Sequence, residues 1–331
     1  MAHATNEMGL ELASSPHLRD RDSVPAIMYT VAMALLPCAA AAVYFFGIIA
    51  LLNIAVCVGA AMLAEWLTCR ARGRPSSLRD GSAVVTGLLL ALVLPPRMSP
   101  HLASSLQIMV VGAAVSIVLG KMIYGGLGFN VFNPALIGRA FLMACYPVAL
   151  TTWTAPSPFP GLQAVTGATP LGMFKFERQL TDLGQLFWGN VGGSLGETSA
   201  VAVLLGAAFL FYRKVITWHI PVTYLGTVVV FTAIMHAVDP AAFAPMPFHL
   251  LSGGLFIGAF FMATDMVTSP TTHRGQLVFG IGGGLIVSLI RLWGGYPEGV
   301  MYSILFMNAI TPLINRWTVP TIYGHGKGGA A

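Results

Sequence analysis

Charge is what this chain has least of. Of its 331 residues only 9% are Asp, Glu, Lys or Arg, against 56% that are hydrophobic. Soluble domains carry about 25% charged residues, so a water-exposed fold is excluded and a polytopic membrane protein is expected. The formal charge of +5 is spread along the chain. No basic cluster is dense enough for nucleic acid, and the excess suits cytoplasmic loops facing anionic lipid headgroups. Cysteine is equally sparse. Cys38, Cys57, Cys69 and Cys145 form no Cys-x-x-Cys pair, which leaves iron–sulfur and zinc ligation without support. Three of the four lie in or beside apolar runs, where a lone cysteine is a small hydrophobe. No glycine fingerprint follows a strand, and Gly282, Gly283 and Gly284 sit inside an apolar span, so direct NADH binding is not expected. Haem is disfavoured too, because His219 and His236 fall at opposite ends of one predicted span and cannot face one haem from it.

What the chain does have is apolar runs. Residues 24–67 are long enough for two spans. The short run 81–94 ends in Pro95 and Pro96; fourteen helical residues reach only about 21 Å, so a broken or half-inserted helix is predicted there. Further spans are read at 102–119, in the apolar stretch up to 150, and at 200–211, 218–235, 250–267, 277–292 and 300–314. That makes about ten. Arg19 and Arg21 before the first span, with Arg70, Arg72, Arg74 and Arg79 after the second, put both termini in the cytoplasm. Arg97, Arg139 and Arg291 do not fit this charge bias simply. The division that follows is a cytoplasmic tail (1–23), a first transmembrane repeat (24–150), an extracytoplasmic loop (151–196), a second repeat (197–317) and a cytoplasmic tail (318–331). The first 22 residues are polar and carry no small-residue cleavage site, so they are read as retained.

The two repeats share local signals. Gly81-Ser82, followed by Thr86-Gly87-Leu88, echoes Ser252-Gly253-Gly254-Leu255. Lys121-Met122-Ile123-Tyr124-Gly125-Gly126 echoes Arg291-Leu292-Trp293-Gly294-Gly295 at nearly the same separation. One copy starts inside and the other outside, the inverted arrangement of many transporters. Gly125, Gly126 and Gly128 beside Asn130 and Asn133 form the densest flexible polar cluster. Backbone freed at membrane depth must be satisfied internally or line a cavity; tight helix packing through small residues is the other reading. Asn133-Pro134-Ala135 has no second copy, which leaves a water channel unsupported. Asp265 follows the short apolar segment of the second repeat. A carboxylate there reads either as part of an ion path or as a cap pairing with His273 or Arg274.

In the interval 151–196, Thr166-Gly167-Ala168-Thr169 is followed at once by Pro170. Taken alone, this is a turn exposing backbone for close approach, or a plain inter-helix loop. The segment resembles the Ser/Thr-Gly-Ala-Thr site at which membrane flavoproteins receive covalent FMN. With residues 124–139 and 264–270, it is similar to the RnfD family of the Rnf electron-transport complex, related to the B subunit of the sodium-pumping NADH:quinone reductase. The resemblance implies an all-α, urea-transporter-like fold in a bacterial inner membrane. It implies FMN joined by a phosphoester to Thr169, with Thr166, Gly167 and Ala168 forming the rest of the motif, attached on the outer side by a flavin transferase. The cluster of Gly125, Gly126, Asn130 and Asn133 suits a flavin ring, and the Asp265 region implies a second, noncovalent flavin, usually riboflavin. Implied partners are the A, B, C, E and G subunits of the Rnf complex, with electron flow coupled to Na+ or H+ movement. One departure is Gln163, where the family pattern often has an acidic residue. The alternative reading is a urea-transporter-type solute channel or transporter with no redox role.

Overall fold

Glycine and proline decide where the helices of this chain break. The computed structural model describes residues 23–156 and 166–320. Ser23 caps α1 (Val24–Phe46), its Oγ accepting from the Ala26 N–H at 3.4 Å. Gly47, at φ +67, turns the chain into α2 (Ile48–Ala71). Only glycine takes that backbone region without cost, so the long apolar run becomes two helices. Gly81 likewise opens α3 (Ser82–Val93) at φ +77, and Pro95 and Pro96 stop it, since proline has no N–H to continue the ladder.

Four carbonyls at that end are met by groups from elsewhere in the chain. Gly196 N–H donates to Leu92 O at 2.7 Å and Leu195 N–H to Leu94 O at 3.1 Å. Asn53 Nδ2 donates to Pro95 O at 3.4 Å and Pro96 O at 3.0 Å. The lone Asn within an apolar run is therefore the partner that a broken helix needs in a medium without water.

The chain continues through α4 (Leu102–Val118), α5 (Pro134–Cys145) and the short α6 (Pro147–Thr151). Strand β1 (Trp153–Thr154) pairs antiparallel with β2 (Thr166–Gly167). Then follow α7 (Pro170–Glu177), α8 (Leu183–Trp188), α9 (Ala200–Tyr212), α10 (His219–Val238) and α11 (Met246–Leu251). The last elements are α12 (Leu255–Ile257), a π-helical turn (Gly258–Met262), α13 (His273–Trp293) and α14 (Val300–Thr318). Five stretches among the described residues are long and apolar enough to cross a membrane: Val24–Phe46, Ile48–Ala71, Leu102–Tyr124, His219–Val238 and His273–Trp293. The expected span at 250–267 is not one helix. Gly253, at φ +66, ends α11, and only residues 255–262 are helical beyond it. They form a second half-helix.

The packing repeats as the sequence echo predicts. Helix α2 packs on α4 as α10 packs on α13; α4 on α5 as α13 on α14; and α1 meets α9 at the seam. Glycine permits the tightest of these approaches. A Cβ on Gly280 would lie 1.9 Å from Thr223 Oγ1 and one on Gly284 2.6 Å from Tyr224 O, so the glycine run in α13 serves contact with α10. The basic residue ending the fourth helix of each set grips the start of its half-helix. Lys121 Nζ donates to Ser82 Oγ, and Arg291 Nη2 donates to Ser252 O at 2.9 Å.

Candidate functional site: two chambers at the ends of the half-helices

Two cavities lie at opposite ends of the half-helices. Val93, at the end of α3, and Gly254, at the start of α12, line the first. Ser82, at the start of α3, and Thr264 and Asp265, beyond the π-helical turn, line the second. The half-helices thus run in opposite directions between the same two chambers, which is the inverted relation in structural form.

Thr169 forms part of the wall of the first chamber, a space of about 270 Å³. The β1–β2 pairing sets Trp153 opposite Gly167 and Thr154 opposite Thr166, and this delivers Thr169 to the start of α7. There its backbone is extended, and its Oγ1 accepts from the Gly172 N–H at 3.1 Å, the role of an N-cap. The oxygen serves that cap as an acceptor, so it can carry a substituent without giving up the bond. Ala168 lines the same chamber. Further along α7, Lys175 Nζ donates to Arg291 O at 3.3 Å, to Tyr296 O at 3.1 Å and to Gly294 O. It fastens the Thr169 helix to the corner between α13 and α14.

Sequence reasoning missed the charged floor of this chamber. Arg139 Nη1 lies 3.0 Å from Glu197 Oε1 and Nη2 lies 2.8 Å from Glu298 Oε2. Arg291 Nη1 donates to His249 O at 2.5 Å. Two of the basic residues that violated the charge bias are therefore buried structural groups and not topology signals. The adjoining glycines make room. A Cβ on Gly254 would lie 2.4 Å from Glu197 Oε1, and one on Gly253 2.9 Å from Leu171 Cδ1. Burial and the neighbouring Glu197 push the Glu298 carboxyl above the usual carboxylate range, against the opposing pull of Arg139 and Arg291.

Asn130, Asn133 and Asp265 do not join Thr169; they line the second chamber, of about 80 Å³. Asn133 caps α5 through Oδ1, accepting from Ala135 N–H at 3.1 Å, and its Nδ2 donates to Met262 O at 3.4 Å. Asn130 Oδ1 is buried without a partner among the described residues. Asp265 is held by its own turn, through Thr268 Oγ1 at 3.1 Å and Val267 N–H at 3.4 Å. Neither His273 nor Arg274 pairs with it among the described residues. Lys121, in the same wall, forms a fully buried ion pair with Glu65 at 2.6 Å. Gly125 and Gly126 take φ of +128 and +115. They turn on the rim beside Arg74, whose Nη1 reaches Gly125 O at 3.4 Å, and they do not line the chamber that Asn130 and Asn133 form. The expected flavin site from Gly125 to Asn133 is thus divided between a rim and a chamber wall. Gln163 lies outside the described residues.

Paired half-helices, a polar residue closing each break and a chamber at each end define a polytopic membrane protein of the inverted-repeat type. Its family is recognisable from nearly the whole chain. Residues 11–324 match the NQR2, RnfD, RnfE family, and the chain belongs to it. It is 46% identical to the D component of the proton-translocating ferredoxin:NAD(+) oxidoreductase complex of Clostridium ljungdahlii, over 95% of this chain and 96% of that one. It is 44% identical to the D component of the Na(+)-translocating ferredoxin:NAD(+) oxidoreductase complex of Acetobacterium woodii, over 97% of this chain and 98% of that one. The D component of the ion-translocating oxidoreductase complex of Halorhodospira halophila is 38% identical over 97% of each.

Proposed function

We infer that this chain is the D-type membrane component of an ion-translocating ferredoxin:NAD-linked oxidoreductase complex, carrying covalent FMN on Thr169 and coupling electron passage to movement of Na+ or H+. The observation that carries the reading is the place of Thr169: the hydroxyl of a Thr-Gly-Ala-Thr segment stands on the wall of a mostly apolar chamber with a guanidinium in its floor. The residues present fit the group. A phosphate attached at Oγ1 would stand at the start of α7, the end of a helix that favours negative charge. Trp153, Tyr296 and Tyr302 offer aromatic surface for a flat ring. Arg139, held by Glu197 and Glu298, sets a charge-balanced polar floor beneath it. When bound, FMN supplies the redox chemistry; the protein binds it, orients it and excludes water.

The second chamber is the place for a noncovalent flavin such as riboflavin, with the unpartnered Asn130 Oδ1 as its recognition group. Phe260 and Phe261 line this smaller space, so ring entry requires those side chains to move. Asp265 at its wall is the candidate for the ion path. Partners on this reading are the A and E subunits in the membrane, the B and C subunits toward soluble donors, and the G subunit as another covalent flavoprotein, with a flavin transferase on the outer side. Reconstitution tests the whole. The tagged chain, isolated in mild detergent, is expected to bring further membrane subunits with it. In vesicles the assembly is expected to take up Na+ or H+ when given reduced ferredoxin and NAD+. A chain that purifies alone and passes urea, with no redox-driven uptake, would instead be a solute channel.

Charge supports one orientation in a bacterial inner membrane. Arg70, Arg72, Arg74, Arg79, Arg213, Lys214, Arg274 and Arg316 lie at the second-chamber face, while Arg97, Lys175 and Arg178 lie at the other. By the positive-inside rule the former face is cytoplasmic, with both termini, and Thr169 is external. In a Cys145→Ser background, Gln179→Cys is expected to react with an impermeant maleimide on intact cells, and Ser76→Cys only after lysis. The opposite pattern reverses the topology.

A further inference from the structure

The floor of the first chamber holds more ionisable groups than packing needs. Arg139 spends both terminal nitrogens on two carboxylates, Glu197 and Glu298. Arg291 lies behind them, its own donors engaged by His249 O and Ser252 O. Fully ionised, these two guanidiniums and two carboxylates sum to zero. Burying such a set is costly unless every lone pair is met, and among the described residues one is not: Glu197 Oε2 is buried with no partner. The two carboxylates differ in access. The Glu298 side chain is 17% exposed and Glu197 only 3%, so Glu298 stands at the edge where protons enter. Gly253 and Gly254 admit no side chain, which keeps the arginines and carboxylates in one cluster.

Resting on the reading of Thr169 given above, we propose that Glu298, paired with Glu197 across Arg139, is the redox-linked proton acceptor of this chamber. An electron that reaches a cofactor on Thr169 from the upstream carrier of the complex adds one negative charge beside a neutral cluster. The Glu298 carboxylate then takes one proton from water at the chamber mouth, giving the neutral acid, and the charge of the chamber is restored. When the electron leaves to the downstream carrier, the proton is released. The carboxyl O–H that forms is matched by the O–H broken in the hydronium that delivers the proton, and release reverses both.

The other charged and titratable groups facing Glu298 are Arg139 from α5, Glu197 before α9, Arg291 from α13, Lys175 from α7, Tyr296 in its own loop and Tyr302 from α14. Of these, Glu197 opposes ionisation of Glu298 and the two arginines favour it. Burial and Glu197 raise its carboxyl against the pull of the arginines, so one added negative charge in the chamber further favours its protonation.

The test uses the purified complex. The adduct on Thr169 is first established by mass; its absence strikes the reading of the site and says nothing of Glu298. With the adduct present, the reduced-minus-oxidised infrared difference spectrum is expected to contain a protonated-carboxyl C=O band that shifts in D2O. Glu298→Gln is expected to remove that band while keeping the adduct. It is also expected to flatten the dependence of midpoint potential on pH, by up to about 59 mV per pH unit for one proton per electron, the tenfold factor of a one-electron couple. Glu298→Asp is expected to retain a weakened band. No carboxyl band in the flavinylated wild type, or a band that survives Glu298→Gln, overturns the proposal. If Glu298→Gln does not assemble, Glu298→Asp decides the matter: a band moved in frequency from its wild-type position supports the proposal, and an unmoved band overturns it.

Discussion

Thr169→Ala is expected to leave the purified chain with no FMN-sized mass adduct and no flavin fluorescence in a denatured, washed band. Two effects meet at this residue. The oxygen to be esterified is removed, and α7 loses its N-cap, a change that costs about 1 kcal/mol. Thr169→Ser separates them, because it keeps both the hydroxyl and the cap, and it is expected to retain attachment. Thr166→Ser is expected to be modified as fully as the parent, since the attachment oxygen is untouched. Mass mapping of the tryptic peptide decides between the two threonines. An adduct on Thr166, or none when the chain is produced with its transferase, would falsify the assignment. If occupancy is partial, Gln163→Asp tests the departure from the family pattern directly and is expected to raise it.

Lys121→Met is expected to be the most destabilising single change in the second chamber. Its ammonium is fully buried, 2.6 Å from Glu65, and it also holds Ser82 at the head of α3. Removing it strands the Glu65 carboxylate, a loss of about 3–5 kcal/mol. A sharply lower melting temperature in detergent, or failure to accumulate in the membrane, is the expected reading. The double variant Lys121→Met/Glu65→Leu removes both charges and is expected to recover most of that loss, because a buried pair replaced by apolar groups is close to neutral. Equal losses in the single and double variants would show that the Ser82 contact, and not the unpaired charge, supports the fold.

These residues also show how far the sequence could be read. The break after α3 was legible because Pro95 and Pro96 act locally and the preceding run is too short for a bilayer. The echo of Lys121 in Arg291 was legible as spacing, although the reason for it, a basic side chain gripping the start of each half-helix, needed the fold. The break at Gly253 was harder to place, since residues on both sides are apolar and only the backbone sign distinguishes a turn from a continuous span. The Arg139–Glu197–Glu298 cluster joins residues 58 and 159 positions apart, and no local pattern links them. The one trace was indirect: Arg139 and Arg291 disobeyed the charge bias, and in a chain so poor in charge such residues are buried for a reason. The Asn130 and Asn133 signal marked a real chamber wall, but not the one on which Thr169 stands.

The thin partition between the chambers has an electrical consequence. Leu136 and Met262 face the first chamber, Ala135 and Phe261 face the second, and Asn133 is tied to Met262 across the layer. With water filling both chambers, a membrane voltage would drop mostly across the less polarisable layer between them. A unit charge crossing the full drop exchanges about 2.3 kcal/mol per 100 mV with the membrane. That work would then fall on whatever charge is carried through this apolar layer, and not on charges moving within either chamber.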